Sequence, residues 1–454
     1  MTTRYPTGYC MRLEQLRGQR IAILGYGREG AAALTVVRNR LPDSEVVIWD
    51  ERGSLPIHAA SRSGPFDEGL LEFDLLIRSP GIPVLHPALV GFSRTGRPIV
   101  NPTSIWLAER PDVKVLAVTG SKGKSTTSAL LAHILRQAGY PTLLAGNIGS
   151  PALEHLDTGA GWAVLELSSY QLTDLEGRLD LGLMTRLFPE HGDWHGGVAH
   201  YYASKLRMAD LLAGRPLLVN ATDPVLLEAT RSVAGRVLAN QSPLTHRDEA
   251  RLVHAGQTLI RSSDWALLGR HNLDNAALAV EAALRVGIDP QTAAAALRSF
   301  QPLVHRLEVV AVDANERRWI NDSIATTPHA TLAALQALGD RPVVLIAGGY
   351  VRPADWNVVI EHCRCRPLAG LVVLPDSGLE VAAAFEQTTA ACHGEICRAV
   401  TLVEAVDQAG RLARAGEVVL LSPGAASFPH FRDFEDRGDA FRRAVQSYSE
   451  RSTA

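Results

Sequence analysis

The sequence predicts an α/β protein made of three consecutive blocks, and three observations carry that expectation. Short β-branched runs alternate with helix-period stretches along the chain, the pattern of parallel sheets with crossover helices. Two of the strand-like runs lead directly into a glycine-rich turn and then a helix, at 25–30 and at 120–125. The 454 residues supply about three domains at ~150 residues each.

The elements justify the blocks in order. The first block, 1–103, holds strand candidates RIAIL (20–24), VVIW (46–49) and DLLI (74–77). After Asn101-Pro102 a helix-like stretch leads into KVLAVT (114–119), and the second block, 104–302, continues with WAVLEL (162–167), LMTRLF (183–188) and PLLVN (216–220). Near Phe300-Gln301-Pro302 the third block, 303–454, opens and carries VVLIA (343–347), GLVVL (370–374) and EVVLL (417–421). No tandem repeat or low-complexity segment interrupts them. Units of this kind could meet around a common cleft, where ligands often bind.

Composition narrows the class. Hydrophobic residues make up 46% and charged residues 20%, which fits a well-buried globular chain. A formal net charge of −3 provides no global field for nucleic acid or an anionic membrane, so phosphate recognition must be local. The start, MTTRYPTGYCMRLEQL, has no apolar core of a secretory signal, and the apolar runs fall short of the ~20 residues of a membrane helix. Five cysteines, an odd set in a long chain, point to a reducing cytoplasm. Cys363, Cys365, Cys392 and Cys397 lack the paired C-x-x-C spacing of a zinc site.

The strongest local signal is Thr119-Gly120-Ser121-Lys122-Gly123-Lys124-Ser125-Thr126, set between a strand and the helix TTSALLAHILRQAGY. Backbone N–H groups and a helix N-terminus cradle phosphates in that setting. Lys124 is placed to reach the β- and γ-phosphates of a nucleotide, and the Ser125 hydroxyl to coordinate Mg²⁺. Val118 stands where the full phosphate-loop pattern has its first glycine; the plainer alternative is a glycine turn with exposed lysines. Gly25-Tyr26-Gly27-Arg28-Glu29-Gly30 follows strand RIAIL, and Asp50 ends the next strand twenty residues beyond Gly30. That is a dinucleotide-type fingerprint, and it accepts the pyrophosphate of NAD or of a UDP-sugar equally. A dehydrogenase is the reading of this motif alone, and it leaves the second loop and the third block without a purpose.

Further stretches appear in a fixed order: GNIGSPAL (146–153), ELSSYQL (166–172), KLRM (205–208), HN (271–272), HRLE (305–308), NDS-x-AT (321–326) and SPGAASF…FEDRG (422–438). With the phosphate loop they resemble the Mur ligases over most of the chain, and among them the type that joins glutamate to UDP-N-acetylmuramoyl-L-alanine (the MurD type). The resemblance implies a Rossmann-like N-terminal domain, a phosphate-loop ATPase central domain and a Rossmann-like C-terminal domain. It also implies an ATP-dependent ligase of peptidoglycan synthesis, a cytoplasmic monomer without nucleic-acid or membrane partners. ATP would phosphorylate the precursor's alanine carboxylate, and the glutamate amine would attack the acyl phosphate.

Residue roles follow from the resemblance, each beside a plainer reading. Glu166 ends an apolar strand, where its carboxylate could complete a magnesium shell or simply be solvated. His191, in FPEHGDWH, matches the ligand of a second metal, though a histidine beside glycine is often only a loop residue. Lys205 matches a lysine that the family carbamylates with CO₂, which would turn a cation into an acid group facing Mg²⁺; otherwise it is a lysine on an amphipathic helix. His271, Asn272 and Asn275 match adenine and ribose contacts. Arg306 and Asp322 match residues reaching the nucleotide, Arg306 in the manner of an arginine finger or, alone, as a surface ion-pair partner. In the first block Gly25 and Gly27 would hold the UDP pyrophosphate, Asp50 and Glu51 would lie near the uracil, and Ser79 and Gly81 belong to the SPGI turn. Asn147 would touch the precursor from the central block.

The glutamate would lie against Thr326, Arg352, Ser427 and Phe434. Here the chain departs from the D-glutamate pattern N-D-S-K-A-T-N: Ile324 replaces a lysine and Thr327 an asparagine, and Arg352 stands in for a lysine. Arginine pairs with carboxylates as a rigid fork. The SFPHF run (427–431) and the Ser-Lys pair of the phosphate loop are also atypical. A rearranged pocket that still meets two carboxylates suggests altered stereochemistry, so the chain resembles the variant subgroup that adds L-glutamate. The alternatives are a D-glutamate ligase, another amino-acid ligase of the superfamily, folate elongation included, and a non-catalytic nucleotide-binding protein.

Overall fold

The structure is a computed structural model that describes residues 8–51, 55, 60–267, 269–350 and 355–453. It forms two compact units: one runs to Trp265 and adds Asn272–Phe300, the other comprises Ala266–His271 and the chain from Gln301.

The first unit contains two parallel sheets. Strands β1 (Arg20–Leu24), β2 (Glu45–Asp50), β3 (Ser61–Ser63), β4 (Leu75–Arg78) and β5 (Ile99–Val100) are ordered β3-β2-β1-β4-β5. Ile23 of β1 lies opposite Ile48 and Ile77, and the inner strands are apolar runs rather than alternating ones because helices cover both faces. Strands β6 (Lys114–Thr119), β7 (Thr142–Gly146), β8 (Trp162–Glu166), β9 (Leu181–Met184), β10 (Leu217–Asn220) and β11 (Arg236–Ala239) follow the order β11-β10-β9-β6-β8-β7. A small antiparallel sheet of β12 (His246–Asp248), β13 (Arg251–His254) and β14 (Gln257–Arg261) completes the unit.

One apolar core runs through both parallel sheets, from Ile23 and Ile48 past Ile105 and Trp106 to Val115 and Leu165. The helix Pro102–Glu109 carries that core between them; Asn101 accepts from Thr103 N at its start, and proline takes a first-turn position whose N–H would have no helical partner. Beside it Arg78 and Asp174 are both buried and form two hydrogen bonds of 2.6 Å. Arg78 also donates to the carbonyls of Ser79, Pro80, Ile82 and Tyr170, and Asn101 Nδ2 donates to Asp174 at 2.9 Å. A buried ion pair is tolerable when its remaining groups are satisfied in this way.

The second unit holds β15 (Glu308–Val312), β16 (Arg318–Asn321), β17 (Val343–Gly349), β18 (Gly370–Asp376), β19 (Ile396–Arg398) and β20 (Val418–Leu421), ordered β15-β16-β20-β17-β18-β19. Only β15 is antiparallel to its neighbour. Cores on the two faces pack Leu345 and Leu420 on one side and Val344 and Val419 on the other.

Two expectations differ from this layout. The run LMTRLF was expected as a strand over 183–188, yet β9 stops at Met184, because the next residues brace the phosphate loop. The β13–β14 hairpin was not anticipated: its two-residue turn is Ala255-Gly256, with φ of 46° and 79°. Asparagine or aspartate before the glycine would have been the legible signal.

Candidate active site

The loop after β6 is shaped by what crowds it. Gly120 has φ of +144°, and a Cβ there would lie 2.0 Å from Thr185 Oγ1. Ser121 N donates to Arg186 O at 2.6 Å, Thr185 Oγ1 to Lys122 O at 2.7 Å, and Phe188 N to Ser121 Oγ at 3.0 Å. The β-like run 185–188 is therefore a buttress. Gly123 starts the helix Lys124–Gln137 in the left-handed region, leaving the first-turn N–H groups of Lys124, Ser125 and Thr126 at the cradle that suits an anion.

Lysines converge on this loop. Lys124 Nζ donates to the carbonyls of Gly120 at 3.0 Å and Ser121 at 2.9 Å. Lys205, on the helix Val198–Leu212, is buried and donates to the same Gly120 carbonyl at 2.8 Å, with its ammonium 4.8 Å from the centre of the Tyr201 ring. Burial, and then Lys124, holds Lys205 well below the ordinary lysine range, while Glu190 and Glu166 oppose the shift. Lys122 pairs with Glu190 at 3.1 Å. His191, in a left-handed turn at φ 53°, is pushed down chiefly by desolvation of its ring, with Lys205, Lys124 and Lys122 adding to the effect and Glu190 opposing it.

Glu166 ends β8 almost fully buried; its Oε1 accepts from Asn147 Nδ2 at 2.7 Å, while Oε2 is buried without a hydrogen-bond partner. An idle carboxylate oxygen that interacts electrostatically with Lys205 fits a divalent cation arriving with phosphates. Among the described residues no three His, Cys, Asp or Glu side chains converge on a metal-sized position. All five cysteines are free.

Asn272 and Asn275 lie on the helix Arg270–Arg285, buried, with Asn275 Nδ2 donating to Asn272 Oδ1 at 3.0 Å. Asn275 leans on the loop: a Cβ on Gly123 would lie 2.5 Å from its Oδ1. Between them Asp274, which sequence reasoning missed, pairs with Arg186 and Arg247 at 2.8 Å each and so ties the helix to the buttress. His271 is the second residue of the same helix and is grouped with the second unit.

In the first sheet, Gly30 is wedged against Gly25: a Cβ there would lie 1.9 Å from Gly25 O. Ser79 Oγ donates to Gly25 O at 2.7 Å, and Asp50 Oδ2 accepts from Tyr26 N at 2.6 Å, so Ser79 and Asp50 both brace the glycine loop. Gly27 caps the helix Arg28–Arg40. Glu51 accepts from Phe66 N and faces His86 at 3.5 Å. Glu29, another residue not foreseen, accepts from Gln171 Nε2 at 2.8 Å, and its other oxygen is buried without a partner. Burial pushes its carboxyl up to about 7. Gly81 O accepts from Trp194 Nε1 at 3.0 Å.

In the second unit Arg306 sits between two left-handed residues, His305 and Leu307. Asp322 braces that turn, accepting from Leu307 N at 3.2 Å and from Ser422 Oγ at 2.9 Å. Thr326 is exposed, Ser427 is buried, and Phe434 opens the helix Phe434–Thr453 with its ring 6.3 Å from His305. Thr327, read as a pocket change, caps the helix Pro328–Leu338 by accepting from Ala330 N, a role asparagine fills equally well. Arg352 lies outside the described residues. Arg437 was missed: fully buried, it donates to Ser323 Oγ, Ser323 O and Ala425 O, and burial pushes it down to about 10. A cavity of about 660 Å³ among Arg341, His362, Arg366 and Arg414 lies at the starts of β17 and β18. Parallel sheets bind ligands at the other end of their strands.

Sheet order and loop define a phosphate-loop α/β protein. Residues 118–283 match the Mur ligase middle domain and 305–425 the Mur ligase glutamate ligase domain. The UDP-N-acetylmuramoyl-L-alanine–L-glutamate ligase of Xanthomonas euvesicatoria pv. vesicatoria is 37% identical over 95% of this chain and 96% of its own. That of Salinispora tropica is 37% identical over 96% and 99%. The chain belongs to the Mur ligase family. Solved structures share the fold: MurF from Acinetobacter baumannii (TM-score 0.63, 18% identity, 96% of this chain and 99% of that one) and the UDP-N-acetylmuramate–alanine ligase MurC from Thermotoga maritima (0.59, 17%, 95% and 100%). No helix among the described residues is long and apolar enough to cross a membrane.

Proposed function

We propose that the protein joins L-glutamate to UDP-N-acetylmuramoyl-L-alanine at the expense of ATP, in peptidoglycan synthesis. The observation that carries this reading is the pair of ammonium groups, Lys124 and Lys205, donating to one carbonyl, Gly120 O. Such a concentration of cations beside a glycine cradle suits a nucleotide whose terminal phosphoryl group is transferred.

In this reading residues 1–103 hold the UDP part, 104–302 the ATP and 303–454 the glutamate, in a cytoplasmic monomer. Gly120, Ser121, Lys122, Gly123, Ser125 and Thr126 bind the phosphates. Lys124 leaves the loop carbonyls to offset charge as the alanine carboxylate takes the γ-phosphoryl group, the bond from the γ-phosphorus to the β–γ bridging oxygen breaks, and an acyl phosphate and ADP form. The glutamate amine then attacks the acyl carbon, forms the amide and releases phosphate. Ser125, Glu166, His191 and a carbamate on Lys205 would hold Mg²⁺, which supplies charge neutralisation to the phosphoryl oxygens. Burial favours the neutral Lys205 amine, the form that adds to CO₂ with loss of a proton. His271, Asn272 and Asn275 are assigned to the nucleoside, Arg306 and Asp322 to the nucleotide, and Thr326, Arg352, Ser427 and Phe434 to the glutamate. Asp50, Glu51, Ser79, Gly81 and Asn147 are assigned to the precursor.

The relatives' names and the changes at Ile324 and Arg352 support L over D stereochemistry; Thr327, which caps a helix, does not bear on it. Phosphate release with each enantiomer in turn tests the reading. L-glutamate is expected to exceed D-glutamate by at least ~10-fold in kcat/KM, equivalent to about 1.4 kcal/mol. A preference for D-glutamate overturns the stereochemistry, and no release with either overturns the function.

A further inference from the structure

The proposed precursor has two anchored ends and an unassigned middle. In the proposed reading its diphosphate lies at the loop Gly25–Gly30 and the turn Ser79–Gly81, and its alanine carboxylate beside Lys124. By covalent structure the N-acetylated hexose lies between them. A row of aromatic rings spans the same interval. Trp194 Nε1 donates to Gly81 O at 3.0 Å, and its ring lies 4.4 Å from Tyr170. Tyr170 lies 5.1 Å from His191, and His191 6.0 Å from Tyr201. The Tyr201 hydroxyl reaches the phosphate loop at Ser121 Oγ, 2.9 Å away.

We propose that Trp194, backed by Tyr170, is a stacking platform for the sugar ring of the UDP-linked precursor, an inference that rests on the function proposed above. The row has a packed side and an open side: His195 and Tyr201 are buried, whereas Trp194 and Tyr170 are half-buried and His191 is exposed. Trp194 has spent its one donor on Gly81, which pins the indole. A pinned aromatic face offers a large apolar surface at little entropic cost, and its negative face attracts the C–H groups of a hexose. Ligand sites of this kind are lined by aromatic side chains with few polar groups. The one aromatic residue of the Gly25–Gly30 loop, Tyr26, packs against the apolar core, and the phosphate loop holds none.

The competing role is a tie, in which the Trp194–Gly81 hydrogen bond only joins the central sheet's loop to the first sheet. Calorimetric titration separates the two, using UDP-N-acetylmuramoyl-L-alanine, UDP alone and a non-hydrolysable ATP analogue, on the full-length protein and its Trp194→Leu and Trp194→Phe variants. The platform predicts that Trp194→Leu weakens the precursor about 10-fold, since a stacked ring contributes on that order, and leaves UDP and the ATP analogue within about twofold. Trp194→Phe, which keeps a ring but not the donor, restores most of the loss. Should the leucine variant not fold, Tyr170→Leu must show the same split between precursor and UDP. An unchanged precursor affinity, an equal loss for UDP, or a phenylalanine variant as weak as leucine overturns the platform alone. Wild-type protein that binds UDP but no precursor overturns the function and the platform together.

Discussion

The two glycine loops of the first unit share a local design and differ in charge. Each follows a parallel strand, β1 or β6, opens a helix, and is held by a close approach that excludes a side chain, at Gly30 or Gly120. The loop 25–30 contains no lysine; its arginine, Arg28, donates to Gly149 O at 3.0 Å. It is braced by the Asp50 carboxylate and the Ser79 hydroxyl, and its buried carboxyl, Glu29, is pushed up to about 7. The loop 120–125 gathers Lys122, Lys124 and Lys205. A diphosphate that is only held needs oriented N–H groups. A phosphoryl group that is transferred needs charge able to follow it. In the proposed function one loop shape would serve retention in one sheet and reaction in the next, with the side chains around it setting which.

The largest effect expected from this contrast is at Lys124. Lys124→Ala should lower turnover by at least ~10³-fold, the scale of losing a principal transition-state charge, while UDP affinity at the first loop stays unchanged. Phosphate release and calorimetry on the same protein check both halves, and near-normal turnover would break the division of labour. Next come the paired glycines. Gly120→Ala places a Cβ against Thr185 Oγ1 in a backbone conformation that disfavours it, at a local cost of about 2–4 kcal/mol. It should abolish ATP-analogue binding and spare UDP. Gly30→Ala, driven against Gly25 O, should do the reverse, so two variants that lose both ligands alike would show the loops to be one site.

The smallest effect is electrostatic. Burial raises Glu29 from 4.5 to about 7 in the folded chain, so folding favours its protonated form. Its contribution is whole below pH about 4.5 and is lost as pH rises through about 7. Glu29→Gln keeps the donor from Gln171 a carbonyl partner and removes that loss. It should gain about 1–2 kcal/mol over wild type above pH 7, with no difference at pH 4.5. Urea melts across that window check it, and parallel pH profiles for the two proteins would remove Glu29 from the account.

Much of this was legible in the chain. The apolar runs of β1, β6, β10, β17, β18 and β20 stand within a residue or two of their expected positions, because strands buried on both faces announce themselves as continuous apolar segments. Lys124 at the helix start and Asp50 at a strand end were readable because loop and helix geometry are local and need no distant partner. The rest depended on partners far along the sequence. Thr185 and Arg186 look like strand residues until Gly120 and Ser121 take their polar atoms. Thr327 looks like a lost pocket amide until the helix it caps is seen. Arg437 and Asp274 look like ordinary helix charges until burial forces each onto specific partners. That Asp322 accepts from Leu307 N and Ser422 Oγ, and so braces the Arg306 turn, was likewise not readable from the chain.

By itself the sequence determined the alternation of strand and helix, the two phosphate-type loops and the family's motif order, since each is written in residues adjacent along the chain. Only the tertiary structure decided that Lys124 and Lys205 share one carbonyl, that Glu166 keeps an idle oxygen, and that a row of aromatic rings links Gly81 to Ser121. Those arrangements join residues tens of positions apart, and the desolvation that shifts Lys205 and Glu29 exists only once the sheets have closed over them.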